Sequence, residues 1–280
     1  MMRIYLAAIL AASSLATPAF AQATDQTVIP EPNADRDYFS IGLGAAAVPD
    51  YEGSDRYRLI PGVIIRAKQG GLTVFSRGTY LYADVVNTGT KVDLDAGPIV
   101  GVRLNRTGKI KDDAVDALGD RKIAVEAGGF AGVTLKGLTN PYDALSFRVD
   151  AVKDVANAHE SWVLTPSVDF GTPLSLTTFV GASLSADFTS DDYARYYFGI
   201  DSAGALRSGL PIYDPEGGFK SWQVGLVASQ SLSGDLRRGL ALFSTGSYKR
   251  LAGDFADSPI VAGRGSRTQW FAAVGLGYTF

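Results

Sequence analysis

From residue 38 onward, apolar and polar side chains alternate at every second position, the period of a β-strand with one face in an apolar medium and the other in water. In residues 174–188, Leu174, Leu176, Val180, Ala182, Leu184, Ala186 and Phe188 share one face, opposite Ser175, Thr177, Ser183, Ser185 and Asp187. Trp162, Leu164, Val168 and Phe170 oppose Thr165, Ser167 and Asp169. Val92, Leu94, Ala96, Val100, Val102 and Leu104 oppose Asp93, Asp95 and Arg103. Phe147 and Val149 face away from Arg148 and Asp150, and Glu126 falls on the inner face of 123–135. A basic residue on the lipid face at mid-bilayer costs roughly 2–4 kcal/mol, so charges kept to one parity point to membrane strands. A soluble sandwich would hold its charges outside and its large apolar residues within. Lys220 breaks the rule, sharing parity with Trp222 and Val224; a strand-end position with the ammonium snorkelling to the headgroups would accommodate it.

Arranged in order, the alternating segments predict strands at 38–48, 57–67, 71–77, 79–86, 91–104, 121–136, 142–153, 160–171, 174–188, 219–231, 239–249 and 268–280. This is an all-β chain of about twelve antiparallel strands, an even number as in bacterial outer-membrane barrels. The apolar parity switches between Leu72 and Val74 on one side of Gly78 and Leu81 and Val85 on the other, which requires a turn or bulge there. Long connections at 105–120, 189–218 and 250–267 alternate with short ones at 68–70, 137–141 and 172–173, the asymmetry of long extracellular loops and short periplasmic turns. The last segment carries an alternating stripe, Trp270, Ala272, Val274, Leu276, Tyr278 and Phe280, ending in an aromatic residue as the assembly signal of outer-membrane barrels does.

The N-terminal region explains how such a chain reaches that membrane. Arg3, the apolar stretch Ile4 to Ala16 and the small-x-small site Ala19-Phe20-Ala21 read as a secretory signal peptide over residues 1–21. Residues 22–37 are polar and contain Pro30 and Pro32, as expected of a flexible periplasmic leader, which leaves 38–280 for the barrel. No apolar run approaches the roughly 20 residues of a membrane-spanning helix. The absence of cysteine excludes a disulfide framework and a lipid-modified cysteine, and the net charge of −3 argues against a nucleic-acid partner.

Several segments carry a family resemblance. Ile41-Gly42-Leu43-Gly44, then Pro49-Asp50-Tyr51-Glu52-Gly53-Ser54 and Arg58-Leu59-Ile60-Pro61, resemble the first hairpin of the MipA/OmpV family. Similar segments are Tyr197-Phe198-Gly199-Ile200, Ser208-Gly209-Leu210-Pro211-Ile212-Tyr213, Asp257-Ser258-Pro259-Ile260-Val261 and Gly275-Leu276-Gly277-Tyr278-Thr279-Phe280. The resemblance implies an outer-membrane barrel without catalytic residues or cofactor. It also implies partners, a lytic transglycosylase and a penicillin-binding protein, between which the barrel acts as a scaffold. Other members of the family are described as porin-like, adhesive or antigenic.

Three clusters invite chemistry. Asp50, Glu52 and Asp55 crowd a short loop, in which carboxylates suited to calcium compete with a simple turn made by Pro49, Gly53 and Ser54 with Tyr51 at the headgroups; the spacing favours the turn. The long loop 189–218 bears Tyr193, Tyr196, Tyr197, Phe198 and Tyr213, as a plug or contact surface, or as an interfacial belt on extended strands. Inner-face charges Arg58, Arg66, Asp93, Asp95, Arg103, Glu126, Arg148, Asp150, Asp169 and Asp187 would tune ion passage or pair across a filled lumen. The single histidine, His159, shares a predicted face with Ser161, a weak echo of a base and nucleophile for an outer-rim hydrolase. The expectation is therefore a non-enzymatic scaffold or anchor for murein enzymes in outer-membrane lipid, with a small-solute channel or a surface adhesin as the alternatives.

Overall fold

The computed structural model describes residues 36–86, 88 and 91–280. The expected signal peptide, and the expected leader as far as residue 35, lie outside these residues. Among the described residues twelve strands pair antiparallel with their neighbours in sequence, and the last pairs with the first. Strands β1 (Tyr38–Pro49) and β2 (Tyr57–Gln69) are followed by a short hairpin, β3 (Leu72–Arg77) and β4 (Tyr80–Asp84), which turns at Gly78 as the parity switch requires. Then come β5 (Val92–Arg103), β6 (Ala124–Lys136), β7 (Ala144–Asp154), β8 (Trp162–Pro173) and β9 (Thr178–Thr189). The last three are β10 (Gly218–Ser231), β11 (Gly239–Leu251) and β12 (Thr268–Thr279). The seam sets Ser40 opposite Thr279 and Ala47 opposite Ala272, and the Phe280 N–H donates to the Phe39 carbonyl at 2.9 Å.

Alternation places oil-soluble side chains outside. Leu94, Val100, Phe147, Leu184, Leu226 and Val274 are exposed, whereas Asp93, Arg103, Glu126, Arg148 and Asp150 are buried inside. Aromatic girdles mark both ends of the apolar band. Trp222, Tyr248 and Trp270 meet in tilted and edge-on contacts with centroids 5.4 and 5.0 Å apart at one end, and Phe39, Phe280 and Tyr278 lie 5.9 and 4.7 Å apart at the other. A strand running from Trp270 to Phe280 at roughly 3.4 Å per residue and a tilt of about 40° climbs about 26 Å, the height of an outer-membrane apolar band.

Two expectations are corrected. Leu174 and Leu176 belong to a turn, not to the start of a strand: β8 runs on to Pro173, and the Ser175 hydroxyl accepts from the Thr177 and Thr178 N–H groups, a local turn that competes with the ladder. Lys220 does not snorkel. The register of β10 against β9 shifts between Phe219 and Ser221, and this bulge turns Lys220 into the barrel, where it is 1% exposed.

The inner wall is of two kinds. Apolar patches occur where Ala46, Val48, Ile60 and Phe271 of β1, β2 and β12 are in contact and where Ile64 and Phe179 pack on Val227 and Phe243. Elsewhere it is polar, and on β3 to β8 charged residues gather around a stacked Phe75 and Tyr82 pair, 5.1 Å apart. The short hairpin fits because Gly97 of β5 has no side chain: a Cβ there would sit 1.8 Å from the Ala83 carbonyl oxygen.

Leu226→Arg puts a guanidinium on the lipid face, and we expect it to lower unfolding stability in vesicles by about 2–4 kcal/mol, measured by urea titration of tryptophan fluorescence.

Candidate functional site

Among the described residues the helices all lie at the Trp222 end, which bacterial barrels turn outward. They are α1 (Asp113–Asp116), α2 (Asp191–Phe198), α3 (Ser202–Ser208), α4 (Gly253–Asp257) and α5 (Pro259–Ala262). The segments that carry them fold into the mouth of the barrel. Asp112 caps α1, accepting from the Ala114 and Val115 N–H groups at 3.1 Å, while Arg264 from beside α5 clasps the same carboxylate at 3.1 and 2.7 Å. Asp201 caps α3, which ends on Gly209.

The cap has its own apolar core. Tyr193, Ala194, Tyr197 and Phe198 of α2 are fully buried, packed with Ile110, Val115, Leu118, Phe255, Ile260 and Val261, and the cluster continues onto Phe75, Tyr82, Ile99 and Phe130 of the inner wall. Leu210 and Tyr213 pack against its edge, and the Tyr213 hydroxyl donates to the Asp254 carbonyl at 2.9 Å. The loop tyrosines thus form a plug rather than an interfacial belt, because helix α2 directs three aromatic rings inward. Tyr51 is likewise not at the headgroups: it is 2% exposed, and its hydroxyl donates to the Ile260 carbonyl at 2.8 Å. Gly53 allows this seating, since its φ is +104° and a Cβ would lie 2.5 Å from Val261 Cγ2.

Beneath the apolar core, buried ions stitch cap to wall. Lys220 Nζ lies 2.9 Å from Glu52 Oε1 and 3.3 Å from Asp187 Oδ2, and Lys249 also reaches Asp187 at 3.2 Å. The Tyr193 hydroxyl donates to Glu52 Oε2 at 3.1 Å, and its ring lies between Lys220 Nζ at 5.0 Å and the Arg103 guanidinium at 5.3 Å. Arg103 grips Glu126 through Nε at 2.8 Å and Nη2 at 3.0 Å. Glu126 is also bonded by His159 Nε2 at 2.8 Å and by the Tyr80 hydroxyl. Burial pushes the Glu52 carboxyl up, but Lys220, Lys249 and Arg103 outweigh it and hold the group below the usual carboxylate range. Asp112 is held low in the same way: burial opposes its charge, and Arg264 with the capping N–H groups prevails.

The remaining sequence-predicted residues are accounted for by pairing. Asp50 Oδ2 accepts from the Lys111 N–H at 2.7 Å with Arg58 at 3.9 Å, both Glu52 oxygens are engaged, and Asp55 is exposed, so these carboxylates do not converge on a cation. Ser54 serves the turn, its hydroxyl accepting from the Arg56 N–H at 3.0 Å. Among the described residues no group of three metal-ligating side chains occurs. Lower in the lumen, Lys136 meets Asp93 at 2.6 Å, Thr134 donates to Asp95 at 2.6 Å, and Arg148 meets Asp150 at 2.7 Å. Arg66 donates to the Tyr38 hydroxyl at 2.8 Å, and Arg77 meets Asp169 at 3.4 Å. His159 and Ser161 part company: the ring faces Glu126, and the Ser161 hydroxyl bonds Ser190. Sequence reasoning missed Lys220 as an interior ion and the cap core of Ile110, Val115, Leu118, Phe255 and Val261; apolar residues within segments read as loops were the available signal.

At the opposite end, where Phe280 meets the start of β1, Arg36, Asp37, Tyr38, Asp235, Arg237 and Arg238 line a cavity of about 550 Å³.

Closure, girdles and an apolar exterior define this molecule as an outer-membrane β-barrel with a plugged outer mouth. A family model described as MltA-interacting protein MipA matches residues 41–280, and the chain belongs to that family. An outer membrane channel from Pseudomonas putida F1 is 12% identical over 92% of this chain and 99% of its own, with a TM-score of 0.47. The Pseudomonas putida toluene transporter TodX is 10% identical over 94% and 96%, with a TM-score of 0.39. The translocator domain of autotransporter NalP from Neisseria meningitidis is 12% identical over 88% and 89%, with a TM-score of 0.39. No curated protein matches the chain.

Removing one member of the buried pair strands the other. Lys220→Met is expected to destabilise the barrel by about 3–5 kcal/mol, and Lys220→Met with Glu52→Gln by less, in equilibrium unfolding of the two variants. The depressed Glu52 and Asp112 carboxyls stabilise the cap fully above their unfolded pKa values of about 4, and this contribution is lost as pH falls below that through the depressed values. Pepsin should therefore cleave within 190–217 faster at pH 2 than at pH 4, relative to an unstructured peptide control.

Proposed function

We propose that this barrel is a non-catalytic, closed anchor that holds murein-hydrolysing and murein-synthesising enzymes at the outer membrane. The observation that carries the reading is the cap: a buried aromatic core over buried ion pairs fills the outer mouth, as suits a membrane anchor better than an open pore. Membership of a family described by its interaction with a lytic transglycosylase supports that enzyme as one partner, with a penicillin-binding protein as the other. In this reading docking falls to the periplasmic end, where Arg36 and Asp37, the described end of the leader expected at 22–37, line the rim cavity beside Tyr38 and Phe280.

Deleting residues 22–37 from the exported protein should reduce capture of a lytic transglycosylase at least tenfold in a pull-down from solubilised membranes; unchanged capture rejects the leader as the docking segment. The small-solute channel is the second reading, favoured by hydroxyls such as Ser183, Ser185 and Ser229 on the inner wall. It predicts unitary conductance in planar bilayers that changes with Arg58→Gln or Asp95→Asn, whereas the anchor reading predicts a silent bilayer.

A further inference from the structure

The barrel wall is not paired evenly. β1 accompanies β2 over its whole length, up to Pro49 opposite Tyr57, but β3 accompanies it only from Gln69 to Arg66. At Ile65 the ladder gives way to the Ser76 hydroxyl of β3, which accepts from the Ile65 N–H at 2.9 Å. From Tyr57 to Val63, among the described residues, the far side of β2 has no ladder partner. The Ile65 bond fixes which backbone groups face that side, namely those of the odd-numbered residues. Lys111 Nζ reaches the Tyr57 carbonyl at 2.6 Å, and Pro61 has no N–H to leave unpaired. Leu59 and Val63, both exposed on the outer surface, keep backbone groups that no ladder satisfies. These residues lie below the outer girdle, because the Tyr57 hydroxyl accepts from the Trp270 N–H at 3.0 Å. An open sheet edge does not persist in hydrocarbon unless it is covered or lines a polar space.

A second copy of the chain is a poor cover. A two-fold axis along the bilayer normal keeps both β2 strands running the same way with opposed tilts, so their edges cross instead of pairing. Pro61 at mid-edge also discourages an added strand. The interior behind the edge suggests a different occupant. Ala46, Val48, Ile60 and Phe271 form an apolar patch there, and Ile64, on the same inner face of β2, packs against a second one of Val227 and Phe243. Continuing the β2 and β3 register sets Arg77 opposite Ile64. Arg77 is 9% exposed; its Nη2 reaches Asp169 at 3.4 Å, while Nε and Nη1 have no partner. With Arg66 and Arg148 it surrounds the Phe75 and Tyr82 rings, three guanidiniums against the carboxylates of Asp150 and Asp169.

We propose that the outer half of β2 frames a lateral opening through which an anionic single-chain amphiphile passes between the outer leaflet and the barrel interior. Its hydrocarbon lies on Ile60, Ile64 and Phe271, and its anionic group binds the free donors of Arg77. Hydrocarbon facing the apolar patches and a polar head near the unpaired backbone match the two needs of the opening.

The chain has no cysteine, so Ile64→Cys and, as a lipid-facing control, Val63→Cys can each carry one fluorophore in nanodiscs of saturated phosphatidylcholine. 9,10-Dibromostearate should quench the label at position 64 saturably, with an apparent Kd at least tenfold weaker in Arg77→Gln and partly restored in Arg77→Lys. The corresponding dibromostearyl alcohol should bind at least tenfold more weakly than the acid. Asp169→Asn, which releases the third Arg77 donor, should tighten binding of the acid several-fold and gives a second reading should Arg77→Gln fail to show the heat-modifiable migration of a folded barrel. Quenching at 64 that does not saturate, that acid and alcohol share, or that no Arg77 or Asp169 variant moves overturns the proposal, as does no quenching at all. Disulfide dimers of unlabelled Val63→Cys would equally overturn it by assigning the edge to a second copy.

Discussion

Backbone amides cannot be left unpaired in hydrocarbon, and the architecture of this barrel follows from that rule. Twelve strands of modest length have no helix-like means of satisfying themselves, so the sheet closes at β1 and β12. Closure then dictates the alternation, since each strand has lipid on one side and the interior on the other. It also dictates that ions go inward, where Arg103 with Glu126 and Lys220 with Glu52 pay for their burial by bonding one another. The rule is relaxed along the outer half of β2, where proline removes a donor and a serine hydroxyl takes over from the ladder.

Much of this was legible in the sequence, for a definite reason. Lipid and water on opposite faces impose a period of two along most strands, so strands such as Val92–Arg103 and Thr268–Thr279 could be read from residue type alone. The readings failed where a local interaction outcompeted that period. Ser175 builds a turn that takes Leu174 and Leu176 out of the ladder, and the bulge at Lys220 reverses the face of a single residue. Periodicity carries no information about either event.

The plug was only half legible. An aromatic loop too rich in tyrosine for disorder stood out between 189 and 218, but helix α2 alone decides that Tyr193, Tyr197 and Phe198 turn inward. Its apolar partners come from three other connections, where they are too sparse to display a period. The inner-face charges were placed on the correct side by parity, whereas their pairing depends on register and on loops that descend to meet them.

The bonds that secure the plug join remote parts of the chain: Glu52 meets Lys220, and Gly53 meets Gln269. A polypeptide that stopped before Lys220 would carry the Glu52 carboxylate in the first loop without its ion-pair partner and without the strands that close the wall. Sealing of the outer mouth therefore waits for Lys220 and Gln269, which belong to the strands that complete the wall.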